Sequence, residues 1–181
     1  LISIVGRPNV GKSTLFNRLI GKRRAITDPT PGVTRDPIPE RWLLGNHPVT
    51  LVDTGGVKLD KEGLDFAVTE KSLSILSMSD VILFLMDCME VTSEDMMLIE
   101  EVRPYTDKVV LVVNKVDDPK RDDLVWNYFS YGYQRVVGIS AAHGLGIEEL
   151  EDTILGMLDM ERTEEIPDEP DTIKLAIMGK P

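Results

Sequence analysis

Short, nearly unbroken apolar runs alternate along the chain with longer stretches whose apolar residues recur at helical spacing. Residues 1–5, 49–53, 81–86 and 109–113 are dominated by Val, Ile and Leu, as expected of strands buried on both faces of a parallel sheet. Residues 135–139 are a weaker candidate of the same kind. Residues 42–44 read as a strand pairing with 49–52 in a hairpin, with Gly45 and Asn46 supplying the turn. Between these runs, residues 12–20, 64–77, 93–105, 124–131 and 147–160 carry helical patterns. In the last of them Ile147, Leu150, Ile154, Leu155 and Leu158 make one apolar stripe. The alternation predicts an α/β fold: a mostly parallel sheet with one antiparallel edge hairpin strand, and helices on both faces. Ligands of such sheets bind at the carboxyl ends of the strands.

Composition narrows the function classes. The chain has 181 residues, 42% hydrophobic and 28% charged, which suits one well-cored domain with a little extra. No run of about 18 apolar residues occurs, so no membrane partner is expected. One cysteine, Cys88, and two histidines, His47 and His143, exclude a disulfide framework and argue against a Cys- or His-based metal cluster. A net charge of -11 suits stand-alone nucleic-acid binding poorly, because phosphate contacts need Lys and Arg. No basic, apolar and small-residue succession of a signal peptide opens the chain, so the cytosol is the expected compartment. Leu1 reads as a start cut a few residues into a strand.

The composition breaks after Met160. Residues 161–171 hold six acids, one Arg and two prolines, a segment expected to be an extended, self-repelling linker. Residues 173–178 are apolar again and lead into Gly179-Lys180-Pro181. Set against Ile4-Val5-Gly6-Arg7-Pro8, the stretch Ile177-Met178-Gly179-Lys180-Pro181 keeps the strand, the Gly, the base and the Pro. The expected organisation is therefore a domain over 1–160, an acidic linker over 161–172 and the start of a second copy over 173–181. A chance apolar tail is the alternative.

Gly6-Arg7-Pro8-Asn9-Val10-Gly11-Lys12-Ser13 fits the phosphate-loop pattern G-x-x-x-x-G-K-[ST], after a strand run and before a helical one. Its glycines let backbone N–H groups curl around phosphate oxygens. Lys12 would reach the β- and γ-phosphates and Ser13 a magnesium ion, with Thr14 following in the helix. Asp53-Thr54-Gly55-Gly56 ends a second strand run. A carboxylate there can hold a magnesium-bound water, and a following Gly can offer its N–H to a γ-phosphate. Asn114-Lys115-Val116-Asp117 ends a third run. Its carboxylate suits the paired donors of guanine, N1–H and the exocyclic amine, which adenine lacks.

The set Gly6 to Ser13, Thr34, Asp53 to Gly56, Asn114 to Asp117 and Ser140-Ala141-Ala142 resembles the five signature motifs of the translation-factor-like GTPases. More narrowly, with Pro31-Gly32-Val33-Thr34-Arg35-Asp36, Val57 and the restart at Gly179, the chain resembles the N-terminal G domain of the bacterial double-GTPase family called Der or EngA. The resemblance implies a Ras-like P-loop NTPase fold that binds and hydrolyses GTP as a GTP·Mg²⁺ complex. It implies a second G domain, a KH-like domain and the large ribosomal subunit as partners, in ribosome biogenesis. Carried over, Ser13 and Thr34 would ligate Mg²⁺, Asp53 would reach it through water and Gly56 would sense the γ-phosphate. Asn114 and Asp117 would grip guanine, the stem of Lys115 would lie along the base, and the backbone of Ser140, Ala141 and Ala142 would reach its O6. Residues 22–36 would be the first switch and 55–63 the second; a solvated basic loop is the alternative for Lys22, Arg23 and Arg24. An Era-like or tRNA-modification GTPase with one G domain is the nearer alternative function. A nucleotide-dependent binding module with incidental hydrolysis is the other.

One departure matters. Where the best-known small GTPases carry a water-orienting Gln, this chain has Val57, which cannot hydrogen-bond to water. Hydrolysis then needs another group, a partner or a cation. In related GTPases an Asn at the position of Asn9 helps bind K⁺, so the resemblance makes Asn9 a K⁺ ligand; bracing the loop is its alternative role. Cys88 reads as a small apolar packer, His143 as a surface residue and His47 as part of the hairpin turn. Met78, Met86, Met89, Met96, Met97 and Met157 read as core and helix-face fillers. Trp42 and Trp126 lack the interleaved basic residues of a base-stacking platform.

Overall fold

In the computed structural model, which describes residues 1–21, 39–56 and 70–158, the elements follow in the order β1 (Ile2–Val5), α1 (Lys12–Leu19), β2 (Pro39–Leu44), β3 (His47–Asp53), α2 (Glu70–Met78), β4 (Val81–Asp87), α3 (Ser93–Val102), β5 (Val109–Asn114), α4 (Asp122–Val125), β6 (Val136–Gly138) and α5 (Ile147–Met157). The six strands form one sheet in the order β2-β3-β1-β4-β5-β6. Only β2 and β3 pair antiparallel, joined across Gly45 and Asn46; the other pairs are parallel.

β4 and β5 are apolar along nearly their whole length because both faces are covered. Successive side chains of a strand point to opposite faces. Val81, Leu83 and Leu85 therefore join Val110 and Val112 against Leu15 and Leu19 of α1 and Leu150 and Ile154 of α5. Ile82, Phe84 and Met86 join Leu111 and Val113 against Leu76 of α2, Leu98 and Ile99 of α3, and Tyr128. The parallel sheet, the hairpin edge and the helices on both faces are as expected from the sequence.

Several boundaries differ. The helical pattern over 93–105 ends at Val102 and continues as a 3₁₀ segment, Arg103–Lys108. Pro104 explains the break, since it lacks the N–H that would bond to Glu100 and its ring crowds that carbonyl. The pattern over 124–131 forms one α-helical turn and then a 3₁₀ segment, Trp126–Tyr131, stopped by Gly132 at φ 88°. Three residues per turn place Val125, Tyr128 and Tyr131 in one row, and all three pack on the second core. His47 opens β3 opposite Leu44 rather than sitting in the turn. Met78, Met89, Met96 and Met97 are exposed, whereas Met86 is buried; α3 turns its 96–97 side outward while Leu98 and Ile99 face the sheet. Residues 64–69 of the second helical pattern lie outside the described residues, as do 159–160, the linker over 161–172 and the restart over 173–181.

α3 begins with a capping box. The Thr92 hydroxyl accepts from the Asp95 N–H at 3.4 Å, and Asp95 accepts from the Thr92 N–H at 2.8 Å. Thr92→Ala is expected to lower stability by about 1 kcal/mol, read as a shift in the urea midpoint at constant m-value. An unchanged midpoint would show that the cap contributes nothing here.

Candidate functional site

The loops that follow β1, β3, β5 and β6 converge at the carboxyl edge of the sheet. The first, Gly6 to Ser13, closes tightly between β1 and α1. A Cβ on Gly6 would meet the Leu85 carbonyl oxygen at 2.7 Å. Gly11 sits at φ 104°, where a Cβ would meet Asn114 Nδ2 at 2.3 Å. Asn9 adopts φ 63°, a conformation L residues other than Asn and Asp seldom take. Among the described residues its carboxamide makes no hydrogen bond. Pro8, Asn9, Gly11, Lys12, Ser13 and Thr14, with Gly55, line an open cleft of about 420 Å³.

Lys12 is buried and donates from Nζ to the Arg7 carbonyl at 2.7 Å. Burial lowers its pKa from the ordinary 10.5, Asp53 opposes that shift and Arg7 adds to it. An ammonium deprived of water in this way gains most from an anion placed in the cleft. Beside it the Ser13 hydroxyl donates to Asp53 Oδ2 at 3.2 Å, and Asp53 Oδ1 accepts from the Gly55 N–H at 2.8 Å. Gly55 packs against the end of the Lys12 side chain, where a Cβ would meet Lys12 Cε at 2.6 Å and push it aside. Gly56 ends the short 3₁₀ turn Thr54–Gly56.

The second end is built around Asn114, which is 3% exposed. Its Nδ2 donates to the Val10 carbonyl at 2.9 Å and its Oδ1 accepts from the Ala141 N–H at 3.0 Å. One side chain thus ties the loops after β1, β5 and β6 together. Lys115, at φ 67°, extends its ammonium to Asp87 Oδ2 at 2.6 Å. Burial pushes the Asp87 carboxyl up, but the Lys115 bond and the Met89 N–H outweigh it and leave the pKa below the ordinary carboxylate value. Ser140 Oγ donates to Asp117 Oδ1 at 2.6 Å and accepts from the His143 N–H at 3.2 Å.

A phosphate-loop cleft joined by one buried Asn to an N-K-x-D loop and a Ser-Ala-Ala loop narrows the field to guanine-nucleotide binding folds. The family described as 50S ribosome-binding GTPase matches the chain over residues 1–115. The chain belongs to that family. Among curated relatives it is 40% identical to GTPase Der of Treponema pallidum over 187 residues, covering 99% of this chain and 40% of that protein. It is 42% identical to GTPase Der of Borreliella burgdorferi over 180 residues, covering 99% of this chain and 41% of that protein. The chain therefore spans about two fifths of the length of these relatives. Among solved structures, Aquifex aeolicus Era bound to GDP·AlF4⁻ superposes with a TM-score of 0.73 at 31% identity, covering 95% of this chain and 60% of that one. The G domain of the Thermotoga maritima iron transporter FeoB superposes with a TM-score of 0.63 at 24% identity, over 86% and 96% of the two chains.

Within this 50S ribosome-binding GTPase domain, several expected site residues face elsewhere. The Arg7 side chain leaves the cleft and pairs with Asp95 of α3 at 2.9 Å, so only its backbone belongs to the loop. The Val10 and Val116 side chains are buried in the two cores, Val10 just ahead of α1 and Val116 just past β5. The Thr54 hydroxyl is buried and donates to the Ile4 carbonyl at 2.8 Å, bracing β3 on β1. The Ala141 N–H is committed to Asn114, which leaves the Ala142 N–H as the group free to reach a base. Cys88 does more than pack, since its thiol donates to the Lys115 carbonyl at 3.1 Å. Thr34 and Val57 lie outside the described residues, as do the first switch and all of the second beyond Gly56.

Three supporting residues escaped the sequence reading. Asp87 holds Lys115, Asp95 holds Arg7, and Arg18 of α1 donates to the Ala141 carbonyl at 3.0 Å and the Ala142 carbonyl at 2.7 Å. Only Asp95 left a local trace, as the fourth residue of Thr92-Ser93-Glu94-Asp95, a capping-box pattern. Among the described residues no helix is long and apolar enough to cross a membrane, and no group of three His, Cys, Asp or Glu could hold a metal ion.

Proposed function

We propose that this chain is the first of two G domains of a cytosolic GTPase that acts in assembly of the large ribosomal subunit. In this reading residues 161–172 are a linker, 173–181 open the second G domain, and the GTP cycle repositions that domain and a KH-like domain beyond it. The observation that carries the nucleotide reading is the Asn114 junction: one buried carboxamide sets the distance between the phosphate cleft and the base loops. The Der names of the curated relatives favour the two-domain reading over an Era-like single G domain. Era, whose GDP·AlF4⁻ complex shares this fold, supports hydrolysis rather than binding alone.

GTPases work on GTP as its Mg²⁺ complex, and the donor set here suits that ion. Ser13 Oγ and Asp53 Oδ2 stand 3.2 Å apart at the cleft, two hard oxygen donors for a cation that keeps waters and phosphate oxygens in its other positions. Ser13 and Thr34 would hold Mg²⁺ directly and Asp53 through water; the ion would neutralise charge on the β- and γ-phosphates. Lys12 adds a second, poorly hydrated positive charge to the same oxygens. The N–H groups of Gly6, Arg7, Asn9, Val10, Gly11, Ser13 and Thr14 would surround the phosphates. Gly55 and Gly56 would stand at the γ-phosphate side. Asp117 reads guanine, the Lys115 stem covers the base and Ala142 reaches O6.

With Val57 in place of a water-orienting Gln, hydrolysis is assigned the help of K⁺ held by Asn9, whose carboxamide is exposed at the cleft and which would bring the positive charge that an arginine finger brings elsewhere. K⁺ is expected to speed single-turnover hydrolysis by roughly tenfold or more over Na⁺ at equal ionic strength, a fraction of the 10³–10⁵ that an arginine finger supplies. Nucleotide affinity should change little. Equal rates in the two salts, or an Asn9→Ala protein that keeps its K⁺ response, would dismiss the cation mechanism. Absence of hydrolysis under every salt, with GTP still bound tightly, would favour the binding-module reading instead.

A further inference from the structure

β6 is the last strand of the sheet, and among the described residues no strand pairs with its outer edge. The Arg135 carbonyl accepts from the Leu111 N–H, and the Ile139 N–H donates to the Val113 carbonyl. Peptide groups in a parallel strand alternate between its two edges. Val137 thus faces β5 in phase with Arg135 and Ile139, while Val136 presents its N–H and C=O, and Gly138 its N–H, to the outer edge; Gly146 covers the Gly138 carbonyl, where a Cβ on it would meet the oxygen at 2.3 Å. Both residues line a groove of about 560 Å³ that runs along this edge between α4 and the start of α5.

The groove has an apolar floor that the described residues leave exposed. Trp126, 71% exposed, stacks on Phe129 with ring centroids 5.6 Å apart, and Leu145 is exposed across from them. Large apolar side chains grouped at an open sheet edge are an aggregation hazard unless something occupies them. The rim carries Asp118 and Asp122 on the α4 side and Glu149 on the α5 side, and among the described residues no Lys or Arg lines the groove. Among the described residues Asp122 and Glu149 enter no ion pair, and Arg121 turns away to the Lys115 carbonyl.

We propose that this groove docks an extended, basic segment of a partner protein, which adds a strand to β6 and seats an apolar side chain against Trp126 and Phe129. The charge decides the occupant. Acids flank the edge on both faces of the sheet, so they complement Lys or Arg on alternate sides of a strand. The same acids repel a nucleic-acid backbone, and they repel the chain's own 161–171 segment, which carries six acids against one Arg. The docked segment would lie beside Val116, Ile139 and Gly146, directly behind the Asn114–Asp117 and Ser140–Ala142 loops. The proposal is independent of the nucleotide reading and stands or falls by its own test.

The probe is a fluorescent eight-residue peptide, Lys-Lys-Val-Val twice over, which puts Lys and Val on both faces of a strand; it is titrated into the protein at low salt and followed by anisotropy. Saturable binding is expected, weakened by added salt, with the amides of Val136 and Gly138 gaining protection from hydrogen exchange. Trp126→Ala, and Asp122→Lys combined with Glu149→Lys, are each expected to weaken binding by about tenfold while thermal unfolding and GDP affinity stay unchanged. A peptide with Pro at every second position, unable to donate to the edge, should not bind. The proposal is overturned if the variants bind the peptide as the parent does, or if a Glu-for-Lys peptide or an RNA oligonucleotide binds the groove equally well. It is also overturned if the protein dimerises through this edge in a way that Trp126→Ala abolishes, which would make a second copy the occupant.

Discussion

Asp117→Asn is expected to turn a GTP-binding site into one that prefers xanthosine triphosphate. Xanthine carries a carbonyl at C2 where guanine carries an amine, so it calls for a donor opposite. The local geometry orients the new amide. Ser140 Oγ already accepts from the His143 N–H at 3.2 Å, and so its own proton goes to Asp117 Oδ1, 2.6 Å away. The Asn oxygen keeps that bond, which leaves its NH₂ turned toward the base. For GTP the donor then meets a donor, a loss on the order of 2–4 kcal/mol, or roughly 30- to 1,000-fold in affinity. For the xanthine nucleotide the match is restored, so the ratio of the two affinities shifts by more than either term alone. Competition titrations with the two triphosphates measure it directly. Unchanged GTP affinity in the Asn protein would show that the 114–117 loop does not read the base.

The parts of this domain that were legible in the sequence are those whose physics is local. The apolar runs of β4 and β5 announce strands covered on both faces, since no other short element needs seven or six consecutive buried positions. The phosphate loop is legible because backbone that must curl around an anion needs Gly6 and Gly11 at fixed spacing. The helical pattern over 124–131 does not separate an α turn from the 3₁₀ segment that follows it, because rows at three and at 3.6 residues per turn coincide over so short a stretch. What stayed hidden is the scaffold of long-range pairs. Asp87 and Lys115 are 28 residues apart, Arg7 and Asp95 are 88, and Arg18 and Ala141 are 123. A lone Asp or Arg on an amphipathic helix has the same sequence signature whether it faces solvent or a distant loop. Arg7 is the clearest instance: its place in the loop is local information, whereas the direction of its side chain depends on an acid in another helix.

That pair carries the largest stability effect expected in the chain. Asp95 is fully buried and Arg7 nearly so, with the guanidinium Nε donating to Asp95 Oδ2 at 2.9 Å. The same oxygen accepts from the Thr92 N–H at 2.8 Å and its hydroxyl at 3.1 Å. Glu90 stands 3.5 Å from the other arm of Arg7 but is largely exposed, so it compensates little for a lost partner. Among the described residues Arg7 Nη2 and Asp95 Oδ1 are both buried without a hydrogen bond, so the network is already under-satisfied before either partner is removed. Asp95→Ala strands a buried guanidinium and removes the N-terminal box of α3 in one step. The expected cost is about 3–5 kcal/mol, and in a domain of this size a fall of roughly 10 °C in the unfolding midpoint. Because the Arg7 carbonyl positions the Lys12 ammonium at 2.7 Å, nucleotide affinity should fall as well. Arg7→Met in the Asp95→Ala background removes the orphaned charge and should recover much of the stability, so the double-mutant cycle shows strong coupling. Additive losses would mean that Arg7 and Asp95 act separately, and that the phosphate loop does not lean on α3.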